Sequence, residues 1–331
     1  MRLPIGPSLL KFGVVCDIQY APIEDGTSFG GTPRYYRHAL ETLSVASTTF
    51  TERSCHFALN IGDIIDGKCK AVSLNVVEAA LASIRSGMNK FDNPWHTVYG
   101  NHELYCLERK RFKELCCEMH EEEDTESTGD SSDDRLVGYS AFSPPQAPKF
   151  RFIRLDSFDV SLMGRSKSST KHKKATTFLS VNTNHDKNSP VGLFNLDQRF
   201  VAFNGAVGKA QLQWLTSELE SCQAQGLQAI ILSHAPYYPP VAPEICLLWN
   251  YDDVLNVLAK FKSNVAATLC GHTHNSAYAM DEESGIHHFV FKAALESVPP
   301  IKTFNIFTLF ENGIEVEGFG DEAIRTGFYE I

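Results

Sequence analysis

The stretch Phe57-Ala58-Leu59-Asn60-Ile61-Gly62-Asp63-Ile64-Ile65-Asp66 decides the reading of this chain. A short, largely apolar run, too brief for a helix and without the alternation of a half-exposed strand, stops abruptly on a glycine and a carboxylate. Such a run fits a strand buried on both faces, with a polar group just past its end. The same arrangement recurs four times along the chain. Phe12 to Cys16 precedes Asp17, Trp95 to Tyr99 precedes Gly100-Asn101-His102, Ala229 to Leu232 precedes Ser233-His234, and Val265 to Leu269 leads to Gly271-His272-Thr273-His274. Between these runs the apolar residues change period. Tyr36, Ala39, Leu40, Leu43 and Ala46 recur at helical spacing, as do Val76, Val77, Ala80, Leu81 and Ile84, then Leu212, Leu215 and Leu219, then Val254, Leu255, Val257 and Leu258.

Alternating strands and helices imply parallel β-α-β units, in which ligand groups gather outside the carboxyl ends of the strands. All five polar clusters fall there. The C-terminal runs His287 to Ala293, Thr303 to Phe310 and Ile314 to Phe319 have no helices between them and predict a mainly antiparallel second layer. The expectation is two stacked sheets covered by helices, in one domain spanning residues 1–331 with polar insertions at about 120–136 and 163–190. The first insertion holds an acidic run, the second the basic run Arg165 to Lys174, and both read as solvated loops.

Composition excludes several classes of function. With 43% hydrophobic residues the chain has ample material for a core, which rules out a disordered protein. The formal charge of −10 argues against nucleic-acid binding. Residues 121–134 alone carry eight carboxylates and no Lys or Arg, so the rest of the chain is close to neutral. The nine cysteines, at 16, 55, 69, 106, 116, 117, 222, 246 and 270, include no C-x-x-C pair and suggest reduced thiols in the cytoplasm. Lys11 and Asp17 interrupt the N-terminal apolar stretch, so no signal peptide is expected, and nothing is long enough to span a membrane. The expected state is a monomer acting on a small molecule.

Hydrolysis by two divalent cations needs hard oxygen ligands, imidazoles and a carboxylate able to bridge both ions. In order, the clusters supply Asp17 and Gln19, Asp63, Asn101 and His102, His234, then His272 and His274. Singly, each reads as a turn, a cap or an exposed strand end; five in succession, each after an apolar run, do not. Asp-x-Gln, Gly-Asp-x-x-Asp, Gly-Asn-His-Glu, a later His and Gly-His-x-His resemble the motif series of the calcineurin-like metallophosphoesterases, from about Val14 to His274. Gln19 stands where most members have His. With Arg34-Tyr35-Tyr36-Arg37-His38, it makes nearly the whole chain similar to the manganese-dependent branch that acts on ADP-ribose and CDP-alcohols.

The resemblance implies a four-layer α/β/β/α sandwich of two mixed sheets flanked by helices. It implies a first metal on Asp17, Gln19, Asp63 and His274, with Asp63 bridging to a second metal on Asn101, His234 and His272. The two ions would be manganese, with magnesium as the other option, because an amide oxygen at position 19 is harder than an imidazole nitrogen. His102 would be the general acid or stabiliser, Glu103 would orient His102 or its loop, and Asp66 would complete the turn after Asp63. A hydroxide generated between the metals would attack the diphosphate of a nucleotide-linked small molecule. ADP-ribose would give AMP and ribose 5-phosphate, and CDP-choline would give CMP and phosphocholine. Cyclic-nucleotide phosphodiesterase or protein phosphatase activity, or a non-catalytic interaction scaffold, are the alternatives on the same motifs. Candidate substrate contacts are Arg34, Tyr35, Tyr36, Arg37, Tyr105 and Tyr237, with Tyr238 beside the last; Tyr36 also fits the buried stripe of its helix.

Overall fold

The structure, a computed structural model, describes residues 4–28, 30–116, 138–320 and 323–331; the acidic run at 121–134 lies outside the described residues. In chain order the strands are β1 (Leu10–Val15), β2 (Gly26–Thr27), β3 (Pro33–Arg34), β4 (Phe57–Asn60), β5 (Trp95–Thr97), β6 (Ser140–Phe142) and β7 (Phe150–Arg154). They continue as β8 (Gln228–Leu232), β9 (Val265–Cys270), β10 (Ala277–Met280), β11 (His287–Val290), β12 (Phe304–Phe310), β13 (Gly313–Phe319) and β14 (Gly327–Glu330). One six-stranded sheet runs β14-β13-β12-β1-β4-β5 and the other β10-β11-β9-β8-β7-β6. Within the first, β1, β4 and β5 are parallel; within the second, β7, β8, β9 and β11 are.

Alternate side chains of each strand divide between two cores, as a two-residue period demands. Phe12, Val14, Leu59, Phe152, Ile230, Leu232, Leu269 and Phe307 meet between the sheets. Val15, Ala58 and Ile306 face the helices Tyr36–Glu52 and Leu74–Met88. Ile153, Ile231 and Val265 face the helices Lys209–Gln225 and Tyr251–Lys260. The layers are therefore helix, sheet, sheet, helix. Between the sheets, the Phe12 ring stacks on Phe57 and Phe307, each at 5.3 Å, with Phe152 edge-on. Burial of each such ring contributes about 1.5–3 kcal/mol.

Two expectations are corrected. The C-terminal strands do not form a layer of their own: β11 joins the second sheet parallel to β9, while β12, β13 and β14 extend the first sheet antiparallel to β1. All seven residues of β12 are buried, with Phe307 and Leu309 facing one core and Phe304 and Ile306 the other, so it can lie beside β1 inside the sheet. Nor is the basic run a solvated loop. Arg165 Nε donates to Asp159 O at 3.0 Å, and Lys171 Nζ meets Asp159 Oδ1 at 2.5 Å. Residues Thr170–Phe178 form a helix capped by Ser169, and Ala175 and Leu179 pack with Phe200 and Trp249. The carboxylate of Asp159 compensates the buried cations, and nothing local in the sequence announces that partner. Among the described residues, no helix is long and apolar enough to cross a membrane.

Candidate metal centre

The loops leaving β1, β4, β5, β8 and β9 converge at the carboxyl edges of the two sheets, and their backbones are unusual. Seven non-glycine residues among those described have positive φ, and five are Asp17, Gln19, Asp63, His272 and His274, at 48°, 40°, 57°, 68° and 61°. A side chain held in this region costs about 1–3 kcal/mol, so such strain persists only where the surroundings enforce it. Here the loops enforce it on each other. Asp17 N donates to Gly62 O, Gln19 N to Asp63 O, and Leu295 N to Asp17 O.

Each buried carboxylate has one oxygen spent on the protein and one turned inward. Asp63 Oδ1 accepts from His102 N at 2.8 Å; Oδ2 faces Gln19 Nε2 at 2.9 Å and His234 Nε2 at 3.4 Å. Asp17 Oδ2 accepts from His272 N at 3.1 Å and from the Cys16 thiol; Oδ1 faces His274 Nε2 at 3.5 Å and His234 Nε2 at 3.9 Å. Asp17, Asp63 and His234 each offer an atom within 4.8 Å of the others. Ligand atoms on one octahedral cation with bonds near 2.1 Å sit about 3 Å apart, close to the spacings seen here.

The imidazoles are oriented from behind. His234 Nδ1 donates to Ile61 O at 2.6 Å, leaving Nε2 inward. His274 Nδ1 lies 2.7 Å from Glu296 Oε1, and its Nε2 is 2.9 Å from the Gln19 amide. His272 Nε2 lies 2.8 Å from Asn204 Oδ1. A carboxylate or carbonyl behind a ligating imidazole sets its tautomer and raises its basicity. Burial alone would lower the His234 pKa, but the Asp63 and Asp17 carboxylates carry it to about 10. Burial likewise opposes Asp63, whose carboxyl is nevertheless held below its ordinary range by His234 and His102. His274 is raised against burial by Glu296 and Asp17, whereas burial with His234 alongside keeps His272 neutral.

Among the described residues, the buried side-chain atoms without a hydrogen-bond partner include three from the motif loops: Gln19 Oε1, Asn101 Oδ1 and His234 Nε2. Unpaired buried polar atoms are costly, and Gln19 and His234, each facing the two carboxylates, fit a divalent-cation site. Gln19 presents its Nε2 to the carboxylates; turning the amide would face Oε1 to the same groups, an arrangement that a cation between them stabilises.

His102 stands at the mouth of the cluster with 15% of its side chain exposed, its Nε2 4.0 Å from Asp63 Oδ2. Gly67 N donates to its Nδ1 at 2.9 Å, so in the neutral ring the proton sits on Nε2. Glu103 is fully buried, with Oε1 accepting from Ile64 N at 2.5 Å and Oε2 from Gly100 N at 3.1 Å, so it ties the two motif loops together. Burial and the nearby Asp63 push its carboxyl up. Asp66, expected only to complete a turn, accepts from Lys68 N and pairs with Arg34 while lying 3.5 Å from His102 Nδ1.

The candidate substrate contacts separate in the same way. Arg34 lies at the site, between Asp66 at 3.3 Å and Glu296 at 3.8 Å. Tyr105 is half-buried with its ring 5.3 Å from that of His102. Tyr35 is half-buried at the start of its helix, its amide donating to Leu295 O. Arg37 is exposed and pairs with Glu24. Tyr36 and Tyr237 are enclosed in the two helix-facing cores, Tyr36 on the buried stripe of its helix and Tyr237 in the loop after β8. Tyr238 stacks on His288 at 3.9 Å. Sequence reading missed Glu296 and Asn204, since neither sits in a motif or at a telling spacing, and Phe158, whose ring packs 5.9 Å from that of His234.

The calcineurin-like phosphoesterase family model matches residues 10–276. The chain is 38% identical to the manganese-dependent ADP-ribose/CDP-alcohol diphosphatase of Oryza sativa subsp. japonica, over 94% of this chain and 91% of that protein. It is 33% identical to the protein of the same name from Homo sapiens, over 94% of this chain and 90% of the other. A crystal structure of a dimetal phosphatase from Danio rerio superposes with a TM-score of 0.90 at 31% identity, covering 98% of this chain and 99% of that one. The chain belongs to the calcineurin-like phosphoesterase family, and within it is similar over most of its length to the manganese-dependent ADP-ribose/CDP-alcohol diphosphatases.

Proposed function

We propose that this protein hydrolyses the diphosphate bond of small nucleotide-linked molecules, ADP-ribose and CDP-alcohols, with two divalent cations, manganese in preference to magnesium. The observation that carries the reading is the convergence of Asp17, Asp63 and His234, with one potential ligand atom each within 4.8 Å of the others, beside the unpaired Gln19 Oε1. Asp17, Gln19, Asp63 and His274 would hold the first cation, and Asp63, Asn101, His234 and His272 the second. The relatives' shared name gives the substrate class and the metal.

When bound, the two cations supply Lewis-acid stabilisation of charge at phosphorus and make water acidic enough to attack at neutral pH. The chain's own groups do the rest. Asp17 and Asp63, both buried, would set the position of the cations and so of the reacting phosphoryl group. His102 points its Nε2–H toward that position and donates to the phosphoryl oxygens as charge builds, or to the departing phosphate. Water adds across one P–O bond of the bridge, so ADP-ribose gives AMP and ribose 5-phosphate, and CDP-choline gives CMP and phosphocholine. Glu103 acts one step back, keeping the Gly100 and Ile64 amides and hence both loops in place. Cytoplasmic location and a monomeric state, expected from the sequence, belong to the same proposal.

The test is hydrolysis of ADP-ribose and CDP-choline by metal-stripped protein with Mn2+ or Mg2+ restored, for wild type, Asp63→Ala and His102→Ala. Manganese-dependent release of AMP and CMP is expected, abolished by Asp63→Ala and reduced about 10²–10⁴-fold by His102→Ala. Preference for a phosphopeptide or a cyclic nucleotide would refute the substrate assignment. Inactivity on all of these would refute catalysis.

A further inference from the structure

The segment between the helix Thr170–Phe178 and the helix Lys209–Gln225 carries none of the family motifs, yet it reaches into the metal centre at Phe203 and Asn204. Asn204 is completely buried. Its Nδ2 donates to Arg199 O at 2.9 Å and to Ile245 O at 2.7 Å, which uses both amide protons. The orientation of the amide follows. Turned over, it would set its oxygen against two carbonyl oxygens and lose both bonds. Oδ1 is therefore fixed toward His272 Nε2, 2.8 Å away, and an amide oxygen can only accept.

We propose that Asn204 is a positioning residue for His272: it fixes the imidazole as the Nε2–H tautomer, so that only Nδ1 is left to bind the second cation. The inference rests on the cation-binding reading above but adds a residue outside the motif series. The surroundings hold the pair rigid. The His272 ring lies against His234 at 5.0 Å and Phe203 at 5.8 Å, with Phe158 edge-on at 6.3 Å. Behind Asn204, Arg199 Nε donates to Trp249 O, Trp249 Nε1 to Val201 O, and Trp249 N to Gly205 O. The segment is thus a back wall of the second site: without an acceptor at 204, the imidazole could shift its proton to Nδ1 and turn its lone pair away from the cation.

Two measurements test this. Long-range 1H–15N correlation spectra of histidine-labelled, metal-stripped protein report the tautomer of His272, assigned by the signal lost in His272→Gln. The Nε2–H form is expected, and the Nδ1–H form would overturn the proposal. Mn2+ binding is then followed by calorimetry and electron paramagnetic resonance for wild type, Asn204→Leu and Asn204→Asp. Both variants lose the bonds to Arg199 O and Ile245 O, but aspartate keeps an acceptor for His272. Asn204→Leu should weaken one of the two Mn2+ affinities about 10–100-fold and leave the other within about threefold, while Asn204→Asp melts lower yet keeps both. Equal losses in the two variants, or none in Asn204→Leu, would mean Asn204 serves the fold alone. Should Asn204→Leu fail to fold, the wild-type tautomer and the Asn204→Asp titration decide the matter. Wild type that bound no Mn2+ would refute the proposed function instead, and the tautomer, measured without cation, would still decide this inference.

Discussion

Replacing Gly100 by alanine should damage the metal centre although it alters none of the residues assigned to hold the cations. A Cβ built on Gly100 would stand 2.0 Å from Asp63 Oδ1, 2.3 Å from Asp63 N and 2.7 Å from Asp63 Cγ. Real Cβ atoms essentially never approach closer than 3.0 Å, so the gap must open by about 1 Å. The nearest obstruction is partly backbone, and the Asp63 backbone is already held at φ 57° by the Gln19 amide. It cannot rotate aside, so the loops bearing Asp63 and His102 must part. Overpacking of this kind costs about 1–3 kcal/mol of stability. The functional loss should be larger, because a 1 Å misplacement of a reacting group costs about 10²-fold in rate. Thermal melting, Mn2+ calorimetry and kcat on ADP-ribose measure the three consequences. Gly30→Ala is the control, since its Cβ would meet nothing closer than Ser28 Oγ at 3.7 Å. If Gly100→Ala kept Mn2+ affinity and kcat within about twofold of wild type, the claim that this glycine makes room for Asp63 would be wrong.

Three further outcomes follow from the site and its supports. Gln19→His should raise activation by zinc relative to manganese, because an imidazole is a softer donor than an amide oxygen, and an unchanged metal profile would count against Gln19 as a ligand. Arg34 pairs with both Asp66 and Glu296, so Arg34→Gln is expected to lower kcat with KM within about threefold; a tenfold rise in KM at constant kcat would make it a phosphate contact instead. At the buried Arg109–Asp156 pair, burial alone would raise the Asp156 carboxyl, but Arg109 holds it below its ordinary value. A depressed folded pKa gives stability that is complete above the unfolded value and is lost as pH falls through the folded one. Asp156→Asn strands a buried guanidinium and should cost about 3–5 kcal/mol at pH 7 in urea titrations, with the gap to wild type narrowing below about pH 4. A gap that stayed constant into strong acid would show that the ion pair is not its source.

What the sequence disclosed and what it withheld divide along a physical line. The five strand ends were legible because a buried parallel strand must be apolar and its end must not be, so the polar residue beyond it stands out against a uniform background. The same logic failed at β12, whose seven buried residues say that both faces are covered but not which neighbour covers them. Pairing is a long-range fact, and the run reads identically in a separate layer or beside β1. At the site, Asp17, Asp63, His234 and His274 were recoverable because each follows a strand. Glu296 and Asn204 were not, since a carboxylate or an amide that orients an imidazole needs only to arrive within 3 Å, from any direction and any loop. Asn204 precedes a glycine and reads as a turn; the two carbonyls that fix it, at Arg199 and Ile245, sit 5 and 41 residues away. The identity of the groups that face the cluster is thus written into strand termini, whereas their orientation is written into contacts that exist only after the loops have met. The left-handed backbones of Asp17, Gln19, Asp63, His272 and His274 belong to the second kind: five strained residues in one cluster are stable only together, so no single motif could have revealed them.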